Sequence, residues 1–235
     1  MNIKDAVVLV TGANRGLGHE FVKALQAGGA KKIYAAARDP ASITVPGVHA
    51  LRLDVTNAED IAAAAKACPD LTLLINNAGI ASGGYLLSPK AADVARQELE
   101  TNFFGPLALT QAFAPTLKAN GGGGIINVLS VVSWVSMPGS GTYCASKSAA
   151  WSLTNGLRGE LKGQNTQVLG VHVGMMVTDM TKGMEGPKIQ PEEAVRLTLE
   201  ALERGDDEVL CDEVTRRVKQ GLGAPRGVYL GAPRG

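Results

Sequence analysis

Ala6-Val7-Val8-Leu9-Val10 runs straight into Thr11-Gly12-Ala13-Asn14-Arg15-Gly16-Leu17-Gly18, and an amphipathic stretch to Gln26 follows. The first five residues are an unbroken apolar run, which suits a strand covered on both faces, as in a parallel sheet. Three glycines then let the backbone turn sharply and approach other groups closely. A helix starting at Gly16 points its free N–H groups and the positive end of its dipole back at the turn, and that arrangement receives anions, phosphate in particular. The spacing of Gly12, Gly16 and Gly18 departs from the G-x-G-x-x-G pattern, so position carries the reading: the turn follows the first strand of a βαβ unit.

The same alternation continues along the chain. Strands are expected at Ala6–Val10, Lys32–Ala37, His49–Asp54, Leu71–Asn76, Ile125–Ser130, Gln167–Val173 and Glu208–Cys211. Helices are expected at Gly16–Gln26, Ala58–Ala67, Ala91–Leu99, Asn102–Lys118, Tyr143–Leu161 and Pro191–Glu203. Repeated βα units imply an α/β, doubly wound domain with right-handed crossovers and helices on both faces. Ligands of such sheets sit beyond the carboxyl ends of the strands. Gly121–Gly124 reads as a flexible turn. The pentapeptide Gly-Ala-Pro-Arg-Gly occurs at 223–227 and again at 231–235, and its Pro and Gly oppose helix.

Composition limits the function classes. A length of 235 residues suits one domain, and 45% hydrophobic residues are enough for a core. Net charge is +1 with no basic stripe, so nucleic acid is not an expected partner. No apolar run is long enough to span a bilayer and no leader pattern follows Met1, so we expect a soluble cytoplasmic protein. Cys68, Cys144 and Cys211 fit neither a disulfide framework nor a zinc site, and Cys144 reads as a small buried filler. His19, His49 and His172 lack metal-ligand spacing.

The nucleotide follows from the end of the second strand. In Rossmann domains an acidic residue about 20 positions past the glycine turn binds the ribose of NAD, and an arginine there favours the phosphate of NADP. Here Arg38 lies 20 positions beyond Gly18, with Asp39 next to it, and Arg15 sits inside the turn. Two guanidiniums match a phosphate in charge and fork geometry, so NADP is favoured over NAD.

Four more motifs complete a pattern: Asn76-Asn77-Ala78-Gly79, Asn102, Ser130, and Tyr143-Cys144-Ala145-Ser146-Lys147. With Thr11–Gly18 they resemble, in order, the motifs of the short-chain dehydrogenase/reductase family, over a span from Thr11 to about Asp179. The resemblance implies one Rossmann domain over residues 1–235 with a seven-stranded parallel sheet in the order 3-2-1-4-5-6-7. It implies a catalytic tetrad of Asn102, Ser130, Tyr143 and Lys147. For the cofactor it implies Gly12, Asn14, Arg15, Gly16, Leu17 and Gly18 at the turn, Arg38, and Asp54 and Val55 at the adenine. Asn76, Ala78 and Gly79 would lie beside the ribose, with Asn77 mainly structural. Tyr143, Lys147, Gly174, Val177 and Thr178 would lie near the nicotinamide. The family usually has Pro-Gly after the sixth strand; this chain has Val173-Gly174, which leaves the contacts from Gly174 to Thr178 open.

The implied chemistry is physically coherent. A phenol titrates near 10, and a cation four residues on along one helix face favours its ionised form, so Tyr143 beside Lys147 is expected to titrate nearer neutrality. Ser130 would donate to the substrate oxygen. Asn102 would hold a water that links Lys147 to solvent. Ser133, Trp134 and Ser136 are placed on the substrate side by their loop. Residues 178–190, with Met180 and Met184, would form a short adaptable flap, and residues 222–235 a tail. The expected activity is NADPH-dependent interconversion of small to medium ketones or aldehydes with alcohols, by a homodimer or homotetramer. A nucleotide sensor without turnover, or an epimerase or dehydratase on the same scaffold, are the competing readings.

Overall fold

A computed structural model describes residues 1–231; the second copy of the terminal pentapeptide falls almost wholly outside them. Seven strands form one parallel sheet: β1 Val7–Thr11, β2 Lys32–Ala37, β3 His49–Arg52, β4 Leu73–Asn76, β5 Gly123–Val128, β6 Thr166–His172 and β7 Glu208–Leu210, in the order β3-β2-β1-β4-β5-β6-β7. The helices are α1 Gly16–Ala27, α2 Ala58–Ala67, α3 Ala91–Leu99, α4 Gly105–Ala119, α5 Gly141–Leu161, α6 Pro191–Arg204 and α7 Glu213–Gly221.

The apolar runs explain the two layers. Side chains alternate across a strand. Val8 and Val10 of β1 share a core with Phe21, Val22 and Leu25 of α1 and with Ala194, Val195, Ala201 and Leu202 of α6. Val7 and Leu9 pack instead with Ile61 and Ala64 of α2, Leu109, Phe113 and Leu117 of α4, and Leu157 and Leu161 of α5. The order reverses between β1 and β4, so the carboxyl ends of those strands flank the crevice where such sheets bind ligands.

Three expectations change. The four glycines at 121–124 are not a slack turn, because Gly123 and Gly124 open β5. A Cβ at Gly123 would come within 2.2 Å of the Thr72 carbonyl, and one at Gly122 within 2.1 Å of the Asn165 carbonyl. The run is needed because the strand is squeezed between neighbours. Asn102 does not begin a helix; it lies in a π turn, Glu100–Phe104, that joins α3 to α4. Helix α7 was not expected. Asp212 caps it by accepting the Thr215 N–H at 2.8 Å, and the Thr215 side chain returns the bond to the Asp212 N–H.

Candidate active site

The glycine turn is held from beneath. Thr11 Oγ1 accepts the N–H groups of Asn77 and Ala78, each at 3.0 Å. Asn77 Nδ2 donates to the carbonyls of Thr11 and Gly12 at 2.8 and 3.2 Å. A Cβ at Gly18 would lie 2.2 Å from the Gly12 carbonyl oxygen and 2.5 Å from Asn77 Nδ2, so only glycine fits there. Gly12 and Gly16 adopt φ of +63° and +52°, the left-handed region that glycine enters freely. Arg15 is the N-cap of α1, and no side chain caps that helix or places a carboxylate in its first turn, whereas Asn57 caps α2. The free N–H groups and the glycine cradle fit an anionic dinucleotide.

Around this turn, Leu17 is buried, Asn14 is half-buried and Arg38 is exposed. Asp54 accepts from the Thr56 N–H and hydroxyl at 3.0 and 2.8 Å, and the backbone bond holds its carboxyl below the ordinary range. Val55 packs where a Cβ on Gly105 would fall. Asn76 is turned into the sheet: its Nδ2 donates to Asn127 Oδ1 at 2.8 Å, and its buried Oδ1 has no partner. Its side-chain amide nitrogen is therefore committed to the sheet, and beyond it the segment continues into Ala78 and Gly79. The Gly174 amide is taken by Asp212 Oδ2 at 2.6 Å, which removes it as a free donor.

The four expected catalytic side chains converge at the carboxyl edge of the sheet. Ser130 follows β5; its hydroxyl donates to the Val173 carbonyl at 3.4 Å and stands near enough to the Tyr143 phenol to favour its ionised form. Tyr143 and Lys147 share one face of α5, with Lys147 Nζ 5.9 Å from the tyrosine ring centre. Lys147 is buried and its Nζ donates to the Val128 carbonyl at 2.8 Å. Asn102 Oδ1 accepts the Ile80 N–H, and its Nδ2 donates to the Ile80 carbonyl and to Ser146 Oγ, all at 2.9 Å. Ser146 in turn donates to the Tyr143 carbonyl at 2.8 Å. The Asn102 side chain is thus a clamp between the Gly79–Ile80 loop and α5. The π turn aims it there, as such turns do at functional sites.

Electrostatics correct the expected phenol. Burial pushes Tyr143 up to about 12, against the lowering effect of the Ser130 hydroxyl. Burial also brings Lys147 down to about 8. Desolvation dominates at both groups, since each charged form loses water. Glu98, fully buried on α3, adds to the rise at Tyr143. It accepts the Ser82 N–H at 2.8 Å through Oε1, and its Oε2 has no partner. Neither its burial nor its reach to the phenol was visible in the sequence.

The segment between β6 and α6 is pinned at its base. Val177 N–H donates to the Ile189 carbonyl at 3.0 Å, and Ile189 N–H to the Met175 carbonyl at 3.0 Å. Beyond that base, Thr178 packs on Gly16, at 3.6 Å from where a Cβ would stand, and Asp179 meets Arg15 at 3.7 Å. Val177, Met180 and Met184 are exposed. Ser133 and Trp134 are buried, and Trp134 stacks on His172, so of the loop's three expected substrate-side residues only Ser136 is open to solvent. Cys144 is buried, as a filler would be. No cluster among the described residues could hold a metal ion, and none of their helices is long and apolar enough to cross a membrane. A concavity of about 550 Å³ between Pro187–Ile189 and Cys211–Arg217 contains none of the four convergent side chains.

Comparison with known proteins follows the same lines. The family model for short chain dehydrogenases matches residues 6–188. Dehydrogenase/reductase SDR family member 7B of Xenopus tropicalis is 32% identical over 197 residues, 76% of this chain and 63% of that protein. The chain therefore spans less than two-thirds of the length of such relatives. A 3-oxoacyl-(acyl-carrier-protein) reductase of Vibrio cholerae is 32% identical over 193 residues, covering 78% of this chain and 79% of that one. Among solved structures, a short chain dehydrogenase from Burkholderia cenocepacia J2315 in complex with NADP is 41% identical, with a TM-score of 0.94 over 99% of this chain and 100% of that one. A short-chain dehydrogenase from Sphingobium yanoikuyae in complex with NADPH is 25% identical, with a TM-score of 0.81 over 97% and 96%.

Proposed function

Because the chain belongs to the short-chain dehydrogenase family, we propose that it is an NADPH-dependent reductase of small to medium ketones and aldehydes, reversible toward alcohol oxidation. The observation that carries this reading is the convergence of Ser130 and Tyr143 on a buried Lys147, whose Nζ lies 5.9 Å from the tyrosine ring centre, beside an uncapped helix N-terminus. When bound, the reduced nicotinamide supplies hydride to the carbonyl carbon. Tyr143 gives its phenolic proton to the carbonyl oxygen. A phenol held at about 12 is still a far stronger acid than the alcohol it creates, so burial suits donation better than abstraction. Ser130 donates to the same oxygen and stabilises the charge that builds there. Lys147 holds a proton beneath the phenol, and Asn102 fixes the loop and helix that frame it.

The preference for NADP rests on Arg15 and Arg38, two exposed guanidiniums near the turn, and on the NADP held by the 41%-identical relative. The substrate range rests on exposed Met180 and Met184 in the short segment 178–190, which we read as a flap. The whole chain is taken as one domain, cytoplasmic in keeping with three unpaired thiols, and paired or tetrameric through α4 and α5. The test is a panel of ketones, aldehydes and alcohols with NADPH and NADH side by side, read by absorbance of the reduced nicotinamide. Ketone-dependent NADPH consumption is expected. Cofactor binding without turnover across the panel would overturn the assignment in favour of a sensor, and substrate conversion without net NADPH use in favour of an epimerase or dehydratase.

A further inference from the structure

His172, the last residue of β6, is fully buried and sits directly behind the catalytic serine. Its Nδ1 lies 3.3 Å from the Ser130 carbonyl oxygen. A carbonyl only accepts, so Nδ1 carries the proton in that contact. On the other edge of the ring, Nε2 is 3.5 Å from Glu208 Oε1. That distance is at the limit of a hydrogen bond, and Nε2 makes none of good geometry, so the contact is electrostatic. The ring face stacks on Trp134, with centres 3.8 Å apart and planes 21° off parallel. Lys219 of α7 closes the group: its Nζ is 2.7 Å from Glu208 Oε2 and 4.9 Å from the centre of the Trp134 ring.

The Ser130 carbonyl has one other donor, the Ser133 N–H at 3.0 Å, in the single 3-10 turn that follows the serine. That turn is local and short. Leu129 and Val131, on either side, donate their N–H groups to the Val171 and Val173 carbonyls at 2.8 and 2.9 Å, and the contact from His172 is the long-range one that meets the carbonyl of the serine itself. We propose that His172 is a positioning residue for Ser130, fixing through its Nδ1–H the backbone angle at which the serine hydroxyl meets Tyr143 and the substrate oxygen. Stacking on Trp134, which itself lies under Lys219, holds the plane of the ring in that orientation. This inference rests on the reductase reading, and its tests separate the two.

His172→Asn places an amide N–H near the Nδ1 position; His172→Gln carries it on to the Nε2 position. Both lose the stacked ring, so a purely structural role predicts equal damage. Positioning predicts a split. His172→Gln should lower kcat for ketone reduction about tenfold, a modest share of what misplacement of a reacting group can cost, with the KM for NADPH unchanged. His172→Asn should stay within about threefold of the parent kcat, at a thermal midpoint as low as that of His172→Gln. Equal loss in both variants, or loss in neither, overturns the proposal. If neither variant folds, the parent protein decides. With 15N-labelled histidine, the one buried imidazole should show a slowly exchanging proton on Nδ1, and a ring protonated on Nε2 alone overturns it. A parent that reduces no carbonyl counts against the reductase reading, while the ring-proton measurement still tests the contact.

Discussion

At the floor of the cleft Lys147 is 6% exposed, Asn102 spends its amide on Ile80 and Ser146, and Ser130 is held from two directions. Across the mouth Met180 and Met184 are 47% and 52% exposed, and segment 178–188 is tied down mainly at its Val177–Ile189 base. The floor stands on strand ends and one long helix, so its geometry is set by the core. The cover stands on a short loop whose contacts are few and solvent-facing. Chemistry placed on rigid elements and selectivity placed on a yielding one is a division that sheets of this kind allow. It implies that substitutions at the floor act on rate and stability and those in the cover act weakly.

The sharpest test removes the phenol oxygen alone. Tyr143→Phe should reduce kcat about a thousandfold, the scale of a lost general acid. NADPH affinity should change by no more than about twofold, because Ser130 and the glycine turn remain. Parent-like turnover would place the proton donor elsewhere. Next in size is a pair of glycines. Gly18→Ala drives a Cβ to 2.2 Å from a backbone oxygen and should cost about 3 kcal/mol. Gly183→Ala in the cover meets nothing within 4 Å and carries only the strain of φ +80°, about 1 kcal/mol. Urea midpoints for the two read the difference, and equal midpoints would erase the contrast between floor and cover.

The buried ammonium adds a pH signature. Folded Lys147 releases its proton near 8 and the unfolded chain near 10.5. Between those values the unfolded chain binds more protons, so stability rises with pH, by at most about 1.4 kcal/mol per unit. Tyr143 opposes this above about 10, and the buried thiols of Cys68 and Cys211, also pushed up to about 12 by burial, oppose it from about 9, because the folded groups keep protons that the unfolded chain loses. Urea unfolding of the cofactor-free protein at pH 8, 9 and 10 isolates the lysine as a difference: the parent's stability should rise with pH relative to that of Lys147→Met, in which the thiols and the phenol are unchanged. Parallel curves would mean that the ammonium is solvated.

What could be read in advance divides along the same boundary. Strand β2 and helices α2 and α3 fell where periodicity put them, and the strand order followed the family resemblance, because apolar runs and glycine turns are local signals. Asn77 was read as structural, and it does hold the turn from below. The direction at Tyr143 was missed because spacing reveals a charged neighbour but not the loss of water on burial. Gly123 looked like slack because the Thr72 carbonyl that crowds it is far away in sequence. His172 and Glu98 reach the site through contacts with remote residues that no local pattern encodes. Asp212 was the legible omission: an acidic cap three residues before a threonine announces helix α7.

The smallest effect lies where floor and cover touch. Arg15 and Asp179 meet at 3.7 Å with side chains 73% and 79% exposed, a geometry that contributes little to stability. Its interest is competition, because the guanidinium that pairs with Asp179 is one of the two assigned to the cofactor phosphate. Asp179→Asn would free Arg15 without altering the turn. The KM for NADPH should then fall, by about twofold at low salt, and the gain should fade as added salt screens the exposed charges. The KM for NADH, which lacks that phosphate, should not move. A fall shared by both cofactors would instead mean that Asp179 acts through the cover's position, and a rise with NADPH alone would mean that the carboxylate steers Arg15 onto the phosphate rather than away from it.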